Sequence, residues 1–326
     1  TKKPVDHGIN RLKWRDRRAT LVTGADAVSI TANAGDITIG SVTATLGTLG
    51  VTATAGSIND AADDNTADFT AGGLITLTAQ DEVGVLGSGS DLDLEFAAGS
   101  SVNVSTTGTG AIDLDGLGAL TLSDVDTVNG AITASSAGAL TVTDVASGTN
   151  GNIVLSTSSG DITGLATVNA GSGNVTLNSA GAIVDDGSSG TVITGGVLTA
   201  DAAGAITIDS TVTSANISTS AAGAVDLDES DAITLTDVDT NDGSITVDAG
   251  GLITATDVVA SGGSGDSVTL STTTGGAVAT LVTGADAVSI TANAGDITIG
   301  SVTATAGTLG VTATAGSIND AADDNT

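Results

Sequence analysis

Most residue types that carry chemistry are missing from this chain after Arg18. The sequence contains no Cys, Met or Tyr, one Pro, one Trp and two Phe, and all seven Lys and Arg lie with the single His in residues 1–18. Residues 19–326 therefore offer no thiol nucleophile, no imidazole to activate a Ser and no cation to bind an acidic substrate. These absences argue against an enzyme.

Aromatic residues make up only 1% of the chain, which is too few for an ordinary globular core that relies on large buried rings. Hydrophobic residues still account for 40%, so a core of small aliphatic side chains is possible. No stretch approaches the ~20 consecutive apolar residues of a membrane-spanning helix. We expect no membrane span, and the first residues also lack the apolar segment of a secretory signal.

Charge divides the chain into two parts. Residues 1–18 carry seven cations and two acids, a net charge of +5, while residues 19–326 carry the other 36 acids and no cation. A body this acidic would repel phosphate groups, so we expect no nucleic-acid partner. We predict a basic, non-repetitive head over residues 1–18 and an acidic body over residues 19–326.

A long repeat organises the body. The run from Ala19 to Thr66 returns 260 residues later as Ala279 to Thr326, with 47 of 48 positions identical and only Leu46 replaced, by Ala306. Near-exact repeats of this length are typical of solenoids and fibrous arrays, in which each unit contacts only its neighbours. We therefore expect this chain to belong to a longer array.

The local pattern in the body is Gly-x-aliphatic-polar-aliphatic, as in Gly-Asp-Ile-Thr-Ile at 35–39. Alternation with period two predicts half-buried β-strands. Two interleaved aliphatic series each advance by a near-constant step: Ile112, Ile132, Ile153 and Val175, and Leu120, Leu140, Ile162 and Ile183. The spacing predicts an all-β fold, a parallel β-helix (β-solenoid) with coils of about 21 residues and at least two strands each. The body would then form roughly 14 or 15 coils, a rod on the order of 70 Å long.

An array of β-sandwich domains is the alternative fold. Its frequent turns would suit this sequence, but sandwich domains need about 100 residues each and usually bury an aromatic residue. The 21-residue register and the scarcity of aromatic residues favour the β-helix.

Several runs resemble filamentous haemagglutinin-type repeats. They are Gly-Ala-Leu-Thr-Val-Thr at 138–143, Gly-Asn-Ile-Val-Leu-Ser-Thr at 151–157, Gly-Asn-Val-Thr-Leu-Asn-Ser-Ala-Gly-Ala-Ile at 173–183 and Ala-Asp-Ala-Ala-Gly-Ala-Ile-Thr-Ile at 200–208. The resemblance implies a right-handed β-helical shaft of a giant bacterial adhesin exported by two-partner secretion. The Asn-rich amino-terminal secretion domain of that family is not evident in this sequence.

Acidic clusters are the candidate binding sites. Asp237-Val-Asp-Thr-Asn-Asp242-Gly approximates the start of a calcium loop, although the Gly comes one residue late for an EF-hand. The coil register places Asp124 near Asp144 and Asp237 near Asp257, and paired carboxylates repel unless they are protonated, hydrated or bridged by a cation. The predicted calcium ligands are Asp124, Asp126, Asp144, Asp237, Asp239, Asp242 and Asp257. The alternative is that they are solvated turn residues that bond to their own backbone.

Paired acids occur at Asp63-Asp64 and Asp185-Asp186, and two carboxylates could in principle hydrolyse a glycosidic bond. Since the body has no His, Lys or Arg to hold an acidic sugar, we expect no catalysis. Thr-x-Thr pairs such as Thr43/Thr45 and Thr52/Thr54 suggest an ice-binding face, but their spacing along the chain is too irregular for one row.

The head is the candidate for self-association. Three interpretations are open: a disordered terminus, an artefact of cloning, sequence assembly or chain tracing, or a segment that caps the solenoid or docks on the acidic wall of a neighbour by opposite charge. The predicted self-association residues are Arg11, Lys13, Trp14, Arg15, Arg17 and Arg18.

Together these features predict a structural, extracellular β-solenoid, secreted or displayed on a bacterial cell surface. It would be the shaft of a giant adhesin-like protein or a subunit of a head-to-tail filament, with other copies of itself and cell-surface glycans as partners and calcium as the candidate ion. The alternative function is a binding module whose Thr- and Asp-rich wall recognises a glycan, a mineral or ice.

Overall fold

The structure, a computed structural model, describes residues 20–23, 27–62, 65–85, 91–97, 99–190, 192–263 and 265–322. These residues form strands, turns and bends and contain no helix. Within them, no helix could cross a membrane. The all-β class predicted from the sequence is confirmed.

The strands are short and follow one another closely along the chain. In order, they are β1 Thr20–Thr23, β2 Val28–Ala32, β3 Ile37–Ile39, β4 Ser41–Ala44, β5 Leu49–Ala53, β6 Ile58–Asp60, β7 Phe69–Ala71, β8 Ile75–Ala79, β9 Leu92–Phe96, β10 Val102–Thr106, β11 Ile112–Gly116, β12 Leu120–Asp126, β13 Ile132–Ser136, β14 Leu140–Val142, β15 Asp144–Ala146, β16 Ile153–Thr157, β17 Ile162–Leu165, β18 Thr167–Asn169, β19 Val175–Ser179, β20 Ile183–Asp185, β21 Ile193–Ala202, β22 Ile206–Ala222, β23 Val225–Glu229, β24 Ile233–Asp242, β25 Ile245–Ala249, β26 Ile253–Ala255, β27 Val258–Ala260, β28 Val268–Thr272, β29 Ala277–Gly284, β30 Val288–Ala292, β31 Ile297–Ala304, β32 Leu309–Ala313 and β33 Ile318–Asp320.

Parallel pairing between successive coils builds the solenoid. For example, β13, β14 and β15 make one coil and pair in parallel with β16, β17 and β18 of the next coil. The register follows the predicted series, since Ile132 lies opposite Ile153 and Ile153 opposite Val175. Coils lie about 21 residues apart, which confirms the predicted parallel β-solenoid.

The solenoid has about 13 coils, fewer than the 14 or 15 predicted from the sequence. Some coils are longer than the prediction assumed. Leu49 pairs with Ile75, Ile75 pairs with Val102, and Val83 bridges Ile112. Each of these steps exceeds the average coil of about 21 residues, so the same number of residues forms fewer coils.

The core is a column of mostly aliphatic side chains that runs along the solenoid. In β16, Ile153 and Leu155 point inward and are fully buried, while Val154 between them is half-buried on the outer side. One continuous cluster of such residues extends from Val28 to Ile297. Val, Ile, Leu and Ala side chains stacked coil upon coil fill this interior, and Phe69 is the one aromatic residue among the fully buried side chains of the described residues.

Buried hydroxyl groups close many of the turns. The Thr127 hydroxyl donates to the Gly130 carbonyl at 2.7 Å, and the Thr157 hydroxyl donates to the Gly160 carbonyl at 2.9 Å. Thr272 and Gly275 form the same contact. An unpaired carbonyl beside the core would lose hydration without compensation, so these Thr residues have a role beyond β-propensity.

Candidate functional site

The first predicted calcium group comes together as the sequence predicted. Val125 pairs with Val145 between adjacent coils, which sets Asp124 beside Asp144. The pKa of Asp126 is raised to about 6, first by burial and then by a hydrogen bond with Asp124 and by repulsion from Asp124 and Asp144. Burial and the charge of Asp124 also raise the pKa of Asp144. The three carboxylates thus form one electrostatic cluster on the outer wall.

The second predicted group repeats this arrangement. Val238 pairs with Val258, which sets Asp237 beside Asp257. Burial, then repulsion from Asp237 and Asp257, raises the pKa of Asp239. One carboxylate oxygen of Asp257 is buried and accepts no hydrogen bond. Asp242 lies at the exposed end of β24 and is not among the charges that act on Asp239.

A different group has the tightest geometry for a cation. Asp91, Asp93 and Asp115 each place a carboxylate oxygen within 4.8 Å of the other two, and no other trio of acids in the described residues does so. Asp93 lies directly opposite Asp115 in the pairing of β9 with β11, and the Ser135 hydroxyl donates to Asp115. Carboxylate oxygens are the ligand type that Ca²⁺ prefers. The predicted calcium residues do not reach this spacing.

The sequence contained a signal for this group. Asp-Leu-Asp occurs at 91–93 and again, one coil later, at 113–115. Sequence reasoning followed the Asp-Val-Asp runs instead.

A buried carboxyl group lies next to these acids, and sequence reasoning missed it. Asp68 is 1% exposed. The Asp93 amide donates to Asp68 Oδ2 at 3.1 Å, and the Asp68 amide donates to the Asp93 carbonyl at 3.0 Å. Burial, then a hydrogen bond with Asp60 and repulsion from Asp60, raises the pKa of Asp68 to about 9. Asp68 is therefore protonated at neutral pH.

A ladder of acids crosses three coils farther along the rod. Asp209 lies opposite Asp228, and Asp228 lies opposite Asp248. Burial, followed by the neighbouring acids, raises the pKa of both Asp209 and Asp228. Next to the ladder, Glu229 is buried and accepts hydrogen bonds from the Ser210 hydroxyl at 2.7 Å and from the Val212 amide at 3.1 Å.

Other acids act as turn residues. Asp185 Oδ1 accepts from the Gly187 amide at 3.0 Å, and Asp186 Oδ1 accepts from the Ser188 amide at 2.9 Å, as the turn interpretation predicts. Asp36 and Asp161 instead accept from backbone amides of the next coil, those of Ser57 and Ala182. Such side chains connect coils, a role that the sequence interpretation of local bonds did not include.

Several predicted residues lie outside the described part of the chain. These are Asp63, Asp64 and the self-association residues Arg11, Lys13, Trp14, Arg15, Arg17 and Arg18. The predicted division at residue 18 and the docking of the head therefore stay predictions.

The fold defines the class of the protein, a parallel β-solenoid built from repeats of about 21 residues. No protein-family model, curated protein or solved structure matches the chain. The likeness to filamentous haemagglutinin-type repeats accordingly depends on the sequence runs quoted above.

Proposed function

We propose that this chain is a structural, extracellular β-solenoid without a catalytic role. It serves as the shaft of an adhesin-like surface protein or as a subunit of a head-to-tail filament. The observation that carries this proposal is that both copies of the repeat form the same coils. Val28 pairs with Leu49 in the first copy, and Val288 pairs with Leu309 at the equivalent positions of the second.

A unit that pairs in the same register at two places in one rod is suited to lengthening the rod by repetition. Each added coil gains parallel backbone hydrogen bonds on one side and buries its aliphatic residues against the column below. The acidic outer wall keeps the rod soluble by charge repulsion. Nothing in the middle of the solenoid has to change when the rod becomes longer.

Electron microscopy of the native material, with and without a calcium chelator, tests this function. We expect straight rods or filaments with a layer line at about 4.8 Å, the spacing of stacked strands. Shortening or loss of filaments on chelation would support the predicted calcium role. Compact particles without the layer line would contradict the structural role.

The alternative is a binding module, and the ladder of Asp209, Asp228 and Asp248 favours a mineral as its ligand. Stacked coils repeat the carboxylates at about 4.8 Å, a spacing that a calcium mineral surface could match. Adsorption to powdered calcium carbonate would support this function if Asp228→Asn weakened it and Asp231→Asn, an exposed acid near the ladder, did not.

A further inference from the structure

The corner between β15 and β16 contains an Asn-Gly pair whose reactive groups the fold leaves unused. Asn150 is exposed at the end of a turn, and Gly151 follows it directly. Within residues 99–190, all of which the structure describes, no hydrogen bond involves the Asn150 side chain or the Gly151 amide. The side-chain carbonyl carbon and the amide nitrogen that could react with each other are therefore not held by other partners.

Packing between coils requires glycine at position 151. A Cβ atom there would lie 2.3 Å from the Gly130 carbonyl oxygen and 2.9 Å from the Ser147 carbonyl oxygen, closer than the backbone of either residue allows. Because glycine has no side chain, nothing on Gly151 shields its amide nitrogen from the side chain of the preceding Asn. The stacking of coils thus keeps a chemically labile pair in the sequence.

The preceding coil contains the same pair, but there the Asn side chain is held. Asn129 is half-buried and comes directly before Gly130, on which Gly151 stacks. Asn129 Oδ1 accepts from the Thr149 hydroxyl at 2.8 Å and from the Asn150 amide at 3.0 Å. These bonds direct the Asn129 side chain to the next coil, so its reaction with the Gly130 amide would cost both of them.

We infer that Asn150 is a site of spontaneous deamidation in the folded rod. The Gly151 amide nitrogen gives its proton to hydroxide or water and attacks the side-chain carbonyl carbon of Asn150. The new C–N bond closes a succinimide ring, and the side-chain nitrogen takes a proton from water and leaves as ammonia. A water molecule then opens the ring at either carbonyl and leaves aspartate or isoaspartate at position 150. The reaction needs no oxidant, reductant or enzyme.

The product changes the outer wall of the rod at this corner. It adds a negative charge to a body that is already acidic, and isoaspartate also lengthens the main chain by one carbon beside the contact of Gly151 with Gly130. The inference does not depend on the proposed structural role. A rod that persists outside the cell would accumulate the change with age.

Peptide mapping of the full folded chain after incubation at mildly alkaline pH tests the inference. The protease Asp-N cuts before aspartate and separates the two pairs, because Asn129 falls in residues 126–143 and Asn150 in residues 144–160. We expect Asn150 to deamidate at least tenfold faster than Asn129, at a rate that rises with pH, and to take up one oxygen atom from isotope-labelled water. Equal rates at the two residues, or a faster reaction at Asn129, would overturn the inference.

Unfolding and two substitutions show whether the fold causes the difference. In urea the two pairs should react at similar rates, and protection of Asn150 in the folded chain alone would overturn the inference. Thr149→Val removes the hydroxyl that holds Asn129 and should speed deamidation of Asn129 severalfold. Asn150→Gln should abolish the mass change in residues 144–160, because its longer side chain must close a larger ring. A mass change that persists in this variant would assign the reaction to Asn152 and contradict the inference.

Discussion

Replacing Asp68 by Asn should stabilise the solenoid at neutral pH. Asp68 is 1% exposed and its pKa is raised to about 9 by burial and by Asp60. The folded protein therefore holds a proton that the unfolded chain loses near pH 4. An Asn side chain has the same shape, keeps the acceptor for the Asp93 amide, and offers an N–H to Asp60 without a proton to lose.

The size of the effect depends on pH, and its sign follows from the raised pKa. Below pH 4 both states are protonated and the substitution should be neutral. Between pH 4 and pH 9 the wild-type protein loses about 1.4 kcal/mol of stability per pH unit through this one group. At pH 7 the variant should therefore be more stable by up to about 4 kcal/mol.

Hydrogen exchange measured by mass spectrometry checks this locally, since a long solenoid does not unfold in a single step. Peptides from residues 67–71 and 92–96 should exchange up to about a thousandfold more slowly in the variant at pH 7, after correction for the intrinsic rate, and equally at pH 4. Asp81→Asn, at an exposed acid nearby, controls for the general loss of negative charge. The same protection in wild type and variant across this pH range would refute the assignment of a buried, protonated Asp68.

Three further substitutions address the core, the coil contacts and the cation ligands. Leu155→Ala should cost about 2–5 kcal/mol by leaving a cavity in a fully buried position, measured locally by hydrogen exchange of peptides from residues 153–157; a similar loss for the outward Val154→Ala would contradict the assigned strand orientation. Gly130→Ala should lower the thermal midpoint, because its Cβ atom would lie 1.9 Å from the Gly110 carbonyl oxygen, whereas Gly118→Ala has nothing within 4 Å and should be neutral. If the acidic groups bind calcium, Asp115→Asn should weaken calcium binding at least tenfold in isothermal titration calorimetry. Asp124→Asn should weaken it less, because only Asp115 belongs to the close trio. The opposite order would favour the groups predicted from sequence.

The strand positions could be predicted well because coil stacking repeats one simple rule. Inward aliphatic residues alternate with outward polar ones, and stacked coils require the same pattern at the same phase. The series from Ile112 to Val175 therefore gives the register directly. The same register correctly placed Asp124 beside Asp144 and Asp237 beside Asp257.

The predicted coil count came out too high because some coils are longer than the average, as the step from Val83 to Ile112 shows. The close acidic trio was missed for a different reason. Asp93 and Asp115 lie 22 residues apart, an ordinary coil step, but the sequence interpretation followed the Asp-Val-Asp runs instead of the Asp-Leu-Asp runs.

By itself, the sequence determined the parallel β-solenoid, its average coil length and its acidic exterior. The alternation of aliphatic and polar residues recurs in coil after coil, so a short stretch already reveals the register, and the excess of acidic residues is read directly from the composition. Only the tertiary structure decided which carboxylates are buried. Asp68 and Asp81 are both aspartates outside the duplicated run, yet Asp68 is buried and Asp81 is exposed, because a neighbouring coil covers only Asp68.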